Sequence, residues 1–283
     1  MSLPAEVRSL LEAALAEDVG PGDWTTLWTV PPGTRGEAVI VTKGEGVIAG
    51  MEVCLAAFHA VDPGLEVHPR VRDGDSVVPG EVAVRIRGAA GSILTAERTA
   101  LNFLQQLSGV ATLTRRYADA VAGTGARIID TRKTTPGMRR LEKEAVRAGG
   151  GANHRLGLHD MVLIKDNHIA AAGGIAAAVR AVRERNVHGL KVEVETTTPE
   201  EVEEALGAGV DRIMFDNMPV PLLARMVERV RSTGAGRPET EASGGITLDT
   251  VRAVAETGVD FISVGALTHS AAALDLSLRL RQL

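Results

Sequence analysis

From residue 127 onward the chain alternates. Short apolar runs at 127–130, 161–165, 191–195, 212–216, 239–243 and 261–264 are separated by stretches of helical period at 139–148, 174–185, 199–207, 221–231, 248–257 and 271–281. Strand, helix and parallel strand form a right-handed crossover unit, and its repetition leaves a barrel or a doubly wound open sheet. What ends the strands separates the two. Asp130-Thr131-Arg132-Lys133, Lys165, Glu195, Asp216, Ser243-Gly244-Gly245 and Gly265-Ala266 put charged, polar or glycine residues at the carboxyl ends. An open sheet gathers such residues at one switch point, whereas a barrel spreads them around one rim. The pattern predicts an α/β barrel with six visible strands where a complete one has eight.

The first hundred residues follow a different plan. Residues 5–16 repeat apolar positions with helical period (Val7, Leu10, Leu11, Ala14, Leu15), and 17–26 read as a turn-rich loop. Strands are expected at 38–42, 46–49, 65–72 and 81–87, with a helix at 52–61, which is α+β in character. A long periodic run, Thr95 to Val121, then leads to the alternating part, with Gly109 as the expected break.

A chain of 283 residues with 45% apolar content can bury a large core, as one big domain or two. No apolar run reaches the roughly 18 residues of a membrane span. The opening MSLPAEVRSLLEAALAEDVG reads as a charged amphipathic helix and not a signal peptide. The single cysteine, Cys54, lies in the apolar run VCLAAFHAV and reads as a buried small hydrophobe, which suits a cytoplasmic, reducing setting. A net charge of −5 without aromatic-basic clusters argues against nucleic acid.

Within this acidic chain one segment is basic. Residues 127–169 hold nine basic and five acidic residues, a balance of +4. Single-sign charge concentrated against the overall balance points to an anionic ligand. Arg139, Arg140, Lys143 and Arg147 alternate with Glu142 and Glu144 at helical spacing, so a solvated helix face explains them equally well. Arg132, Lys133, Arg155 and Lys165 sit at strand ends and loops, where that explanation fits poorly.

Ser243-Gly244-Gly245 and Val264-Gly265-Ala266 each lead from a strand toward a helix, and backbone N–H groups there suit phosphate. Glu195 and Asp216 end neighbouring strands. They suit Mg²⁺, which takes one or two carboxylates together with phosphates and waters, or they suit sugar hydroxyls. A purely structural pairing of Glu195 with Lys191 or Lys165 stands beside both. Glu193 alternates with Glu195 and faces the same way, so one of the two is open to a structural role. His154, His159 and His168 lack the companions and spacing of a zinc site.

At this point the residues resemble a known family. The motifs are Thr131-Arg132-Lys133-Thr134-Thr135-Pro136-Gly137, Gly149-Gly150-Gly151-Ala152-Asn153-His154-Arg155, Lys165-Asp166-Asn167-His168, Glu193-Val194-Glu195, Phe215-Asp216-Asn217, Glu241-Ala242-Ser243-Gly244-Gly245-Ile246 and Val264-Gly265-Ala266-Leu267-Thr268-His269. In order and spacing, with Glu97-Arg98-Thr99-Ala100-Leu101-Asn102 before them, they resemble quinolinate phosphoribosyltransferase. The likeness covers nearly the whole chain, and Ala242 stands where serine is common.

The resemblance implies an N-terminal α/β sandwich over residues 1–112, an incomplete TIM-like α/β barrel over 113–270, and a C-terminal helix, 271–283, joining the sandwich. It implies quinolinate and 5-phosphoribosyl-1-pyrophosphate as substrates, nicotinate mononucleotide, pyrophosphate and CO₂ as products, and Mg²⁺ as cofactor. It implies a homodimer, or a multiple of one such as a hexamer, in which one subunit's N-terminal domain covers the other's barrel mouth. Quinolinate, a dianion, falls to Arg98, Arg132 and Arg155, with His154 and Lys165 beside them. Thr131 shares the Arg132 loop, and Lys133 and Lys165 face pyrophosphate. The loops Ser243, Gly244, Gly245 and Val264, Gly265, Ala266 take the 5-phosphate. Glu195 and Asp216 lie by the ribose and Mg²⁺, and with Lys133 and Lys165 form the catalytic group. Two other readings remain: a phosphoribosyltransferase that uses nicotinate without releasing CO₂, and a non-catalytic sensor of a phosphate ligand.

Overall fold

The computed structural model describes residues 3–283 and divides the chain into two compact units. The first comprises 1–115, 134–150 and 266–283; the second comprises 116–133 and 151–265. Met1 and Ser2, which open the N-terminal segment read as an amphipathic helix, lie outside the described residues. The helix itself runs Ala5–Val19.

The first unit contains β1 (Arg35–Thr42), β2 (Gly46–Val47), β3 (Glu66–Pro69), β4 (Ser76–Val77) and β5 (Val82–Ala89). Alternation decides the faces: Ala38 and Ile40 on β1 and Val84 and Ile86 on β5 are buried, while Arg85 and Arg87 are exposed. The second unit contains β6 (Arg127–Ile129), β7 (Val162–Ile164), β8 (Val192–Thr196), β9 (Arg212–Asp216), β10 (Glu239–Ser243) and β11 (Phe261–Ser263). All six coincide with the expected strands within two residues. The last strand, β12 (Leu276–Gln282), returns to the first unit.

That last element corrects the sequence reading. Residues 271–283 do not form a helix; β12 pairs antiparallel with β1, Leu278 opposite Ile40 and Arg281 opposite Glu37, giving the order β12-β1-β5-β3. Leu276, Leu278 and Leu280 alternate with Ser277, Arg279 and Arg281, a period of two that overrides helical propensity once an open sheet edge accepts the backbone. Gly109 is a second correction. The helix Ala90–Ala120 runs through it unbroken over 31 residues. A Cβ at 109 would come within 2.2 Å of the Ala272 carbonyl oxygen, so this glycine serves close packing of the returning chain. The expected loop 17–26 also holds a short helix, Trp24–Thr29, capped by the Asp23 carboxylate accepting from the Thr26 N–H. Finally, the helix Arg139–Ala148 belongs to the first unit, although in sequence it interrupts the second.

The second unit is a parallel sheet of order β6-β11-β10-β9-β8-β7. Read as a ring, this is sequential order with β11 closing onto β6 and a seam between β6 and β7. At the seam Ile129 forms a parallel bridge with Ala152. It is an incomplete barrel. Residues of one parity, Glu193, Glu195, Arg212, Met214, Asp216, Glu239, Glu241, Ser243, Phe261 and Ser263, share one face across the register. The other parity carries Val192, Val194, Ile213, Phe215, Ala242 and Ile262, all buried and apolar. No helix among the described residues is long and apolar enough to cross a membrane.

Candidate active site

The barrel's first-parity face is charged through its depth. Arg212 lies 4.3 Å over the Phe261 ring, its Nη2 3.0 Å from Glu239 and its Nη1 3.0 Å from Glu241. Next to these stand Glu193 and Glu241, both fully buried, and His154, whose Nε2 is 3.0 Å from Glu193 and 3.5 Å from Glu241. Burial pushes Glu193 up to about 7 against the pull of Arg212. Glu241 goes to about 8 through burial and the neighbouring Glu193 charge. His154, Glu193 and Glu241 offer three metal-type donors within 4.8 Å of one another. A cation there would compete with the guanidinium of Arg212 for the same carboxylates. The cluster therefore reads as an electrostatic floor and not as a metal centre.

Above the floor, Asp130 at the end of β6 is fully buried and organises the loop beyond the seam. Its Oδ1 accepts the His154 backbone N–H at 2.9 Å and its Oδ2 accepts from Asn153 Nδ2 at 2.6 Å. His154 Nδ1 accepts the Arg155 N–H at 2.7 Å, and the Arg155 guanidinium donates to the Met161 carbonyl at 3.1 Å. Burial lowers the Arg155 pKa, and the nearby Arg132 charge lowers it further. Two guanidinium groups brought near each other at one rim favour an anion between them. Thr131 Oγ1 accepts the Lys133 N–H at 3.0 Å, which turns the Thr131–Lys133 loop at the same strand end.

On β7 and β8, Lys165 and Glu195 form a direct ion pair. This is one of the two structural pairings that the sequence left open; Lys191 pairs with Glu239 at 3.2 Å instead. Lys165 also opens the helix Asp166–Ala172, where His168 Nδ1 accepts the Lys165 N–H at 3.1 Å, so His168 acts as a cap. Asp216, at the end of β9, accepts from Asn217 Nδ2 at 2.7 Å. Opposite it in the register is Ser243, followed by Gly244 and Gly245, both with positive φ. Val264 continues β11, its N–H donating to the Ile129 carbonyl at 3.0 Å, and Gly265 ends this unit.

The structure thus brings Thr131, Arg132, Lys133, His154, Arg155, Lys165, Glu195, Asp216, Ser243, Gly244, Gly245, Val264 and Gly265 together at the carboxyl ends of one barrel. Arg98, on the helix Ala90–Ala120, and Ala266, on the short helix Ala266–His269, belong to the first unit. Expected helix N-termini behind the two glycine loops are corrected. The helix after Ser243–Gly245 spans only Val251–Glu256, and the one after Gly265 only four residues. Any phosphate held there would rest on loop N–H groups and not on a macrodipole. The sequence reading missed Asp130 and Glu241 as organisers. For Asp130 the signal was an acid one residue beyond an apolar strand; for Glu241, it was an acid inside one.

Comparison with known proteins fits this geometry. Residues 23–108 match the family model of the quinolinate phosphoribosyl transferase N-terminal domain, and residues 110–279 that of its C-terminal domain. "Quinolinate phosphoribosyltransferase [decarboxylating] 1b" of Nicotiana tabacum is 46% identical over 290 residues, covering 97% of this chain and 82% of the relative. "Probable nicotinate-nucleotide pyrophosphorylase [carboxylating]" of Synechocystis is 46% identical over 95% of this chain and 91% of its own. The solved nicotinate-nucleotide pyrophosphorylase of Francisella tularensis superposes with a TM-score of 0.94 at 38% identity, covering 99% of this chain and 98% of that one. With both halves matched and the charged barrel rim intact, this chain belongs to the quinolinate phosphoribosyltransferase family.

Proposed function

We propose that the chain transfers phosphoribosyl from 5-phosphoribosyl-1-pyrophosphate to quinolinate and releases CO₂, giving nicotinate mononucleotide and pyrophosphate in NAD biosynthesis. The observation that carries the reading is that Arg132 and Arg155 stand at the same barrel rim as two strand-end carboxylates, Glu195 and Asp216. Forked guanidiniums bind a dicarboxylate bidentately, which favours quinolinate over a monoanion. Glu195 and Asp216 stabilise the positive charge that grows at C1 as pyrophosphate departs, and Lys133 and Lys165 neutralise pyrophosphate. The positive ring nitrogen formed by attack on C1 stabilises the carbanion left on the adjacent ring carbon when its carboxylate departs as CO₂, and a proton from solvent then takes the carboxylate's place. No covalent nucleophile is required; orientation and charge suffice.

Glu195 and Asp216 offer the hard oxygen donors that Mg²⁺ prefers, and each has a second oxygen beyond its contact with Lys165 or Asn217. They would hold the ion together with substrate phosphates, and the ion would offset charge on the leaving group. We further propose a cytoplasmic homodimer, or a multiple of one, in which Arg98 reaches the partner subunit's barrel mouth. Full turnover from a species that sediments as a monomer would remove that part.

The decisive assay incubates the protein with labelled quinolinate or nicotinate, the phosphoribosyl donor and Mg²⁺, and follows nucleotide and CO₂. Nucleotide and equimolar CO₂ from quinolinate are expected. Nucleotide from nicotinate alone would overturn the substrate assignment, and binding without product would favour a sensor.

A further inference from the structure

Asn217 is the only non-glycine residue with positive φ among the described residues, at +52°. An L-residue in this left-handed region is ordinarily strained, with asparagine among the few that visit it readily. Such a conformation persists only where its surroundings hold it, and here three contacts do. The Asn217 N–H donates to the Ser243 carbonyl at 2.9 Å, which carries the β9–β10 pairing one residue beyond Asp216 opposite Ser243. The side-chain Nδ2 donates to Asp216 Oδ2 at 2.7 Å. The chemistry fixes the amide's orientation, since only its nitrogen can donate to a carboxylate. Its Oδ1 then packs against Gly244 so closely that a Cβ there would lie 2.2 Å away.

We propose that Asn217 is a positioning residue for the phosphoribosyl half of the site: through its left-handed backbone and its amide it ties the Asp216 carboxylate to the Ser243–Gly244 loop. Asp216 and the glycine loop come from different strands. Without the tie, the carboxylate rotates about its own side-chain torsions while the loop moves separately. With it, the group that faces the developing charge at C1 and the backbone that faces the phosphate keep one spacing. Asn217 is itself exposed, so its contacts serve the rim and not the core. Glycine at 244 follows from the same arrangement, because the amide occupies the space a side chain would need. This inference rests on the roles assigned above to Asp216 and the glycine loop.

The test compares Asn217→Gly, Asn217→Asp and, as reference, Asp216→Asn in the full-length protein. Turnover, KM for each substrate and thermal midpoint are measured. Asn217→Gly keeps the backbone conformation and deletes the amide. It should lower kcat/KM for the phosphoribosyl donor about tenfold, as loss of an outer partner commonly does. The KM for quinolinate and the midpoint should stay near the parent's. Asn217→Asp keeps the shape and tolerates the left-handed backbone but sets a like charge beside Asp216, so its loss should be larger. Parent kinetics in both Asn217 variants, with Asp216→Asn impaired, would overturn the tie and leave the site reading standing. Parent kinetics in Asp216→Asn would instead overturn the site reading itself. Equal weakening toward both substrates, or a fallen midpoint in Asn217→Gly, would make Asn217 merely structural and overturn the proposal.

Discussion

The two sheets bury their side chains by opposite rules. In the antiparallel sheet β12-β1-β5-β3, charge is confined to the outer face: Glu37 faces Arg87 on one side and Arg281 on the other. Beneath them Ala38, Ile40, Val84 and Ile86 form an apolar layer. In the parallel barrel, ionisable groups lie within: Asp130, Glu193, Glu241 and His154 are at least nine-tenths buried in side chain, and Arg212 is nearly so. An antiparallel sheet with one wet face can put its polar residues in water, whereas barrel strands are covered on both faces. Interior charges must then be compensated in place. The first sheet is held by area removed from water, the second partly by electrostatics that are costly to disturb. Disturbing them would also disturb His154, whose Nδ1 accepts the Arg155 N–H at 2.7 Å.

The largest expected effect comes from breaking the compensation. Arg212→Leu leaves Glu193 and Glu241 without their guanidinium and should destabilise the barrel by about 3–5 kcal/mol. Hydrogen exchange of barrel amides reads this out; protection equal to the parent's would mean the carboxyls are neutral enough to need no partner. In the apolar sheet the counterpart is Ile40→Ala, a cavity expected to cost about 2–5 kcal/mol. Both tryptophans, Trp24 and Trp28, lie in the first unit, so urea unfolding followed by their fluorescence should shift for Ile40→Ala. An unmoved fluorescence midpoint would contradict a core held by burial.

A smaller effect separates the two regions by pH. Glu193 and Glu241 are raised to about 7 and about 8 from an ordinary 4.5. Between the ordinary value and these, the folded barrel holds protons that an unfolded chain has released. Its stability therefore falls as pH rises through this window and levels off above it. Glu241→Gln should flatten that fall in barrel amide protection between pH 6 and 9, and an unchanged slope would place the titration elsewhere. The smallest effect is expected at the outer face. Arg281 is 75% exposed in its side chain and pairs with Glu37 at 2.6 Å, so Arg281→Ala should leave the fluorescence midpoint within error. A clear drop there would blur the distinction between the sheets.

Much of this was legible in the sequence, because secondary structure and strand ends are properties of neighbouring residues. The barrel's alternation, its six strands and the acids and bases at their carboxyl ends follow from periodicity within about ten residues, and chain-local spacing suffices to read them. The rim residues Lys165, Glu195 and Asp216 were found in this way. Tertiary structure alone decided the rest. The segment after Ala271 became β12 because β1 offered it an edge, and Gly109 lies within a helix because Ala272 packs onto it. The residues 134–150 joined the first unit although their sequence neighbours form the barrel. The floor of His154, Glu193, Arg212 and Glu241 joins residues 87 positions apart at its extremes, and the tie from Asn217 to Gly244 crosses two strands. Which side chains share a row depends on register, and register is set by packing across the sheet, where the local pattern carries no information.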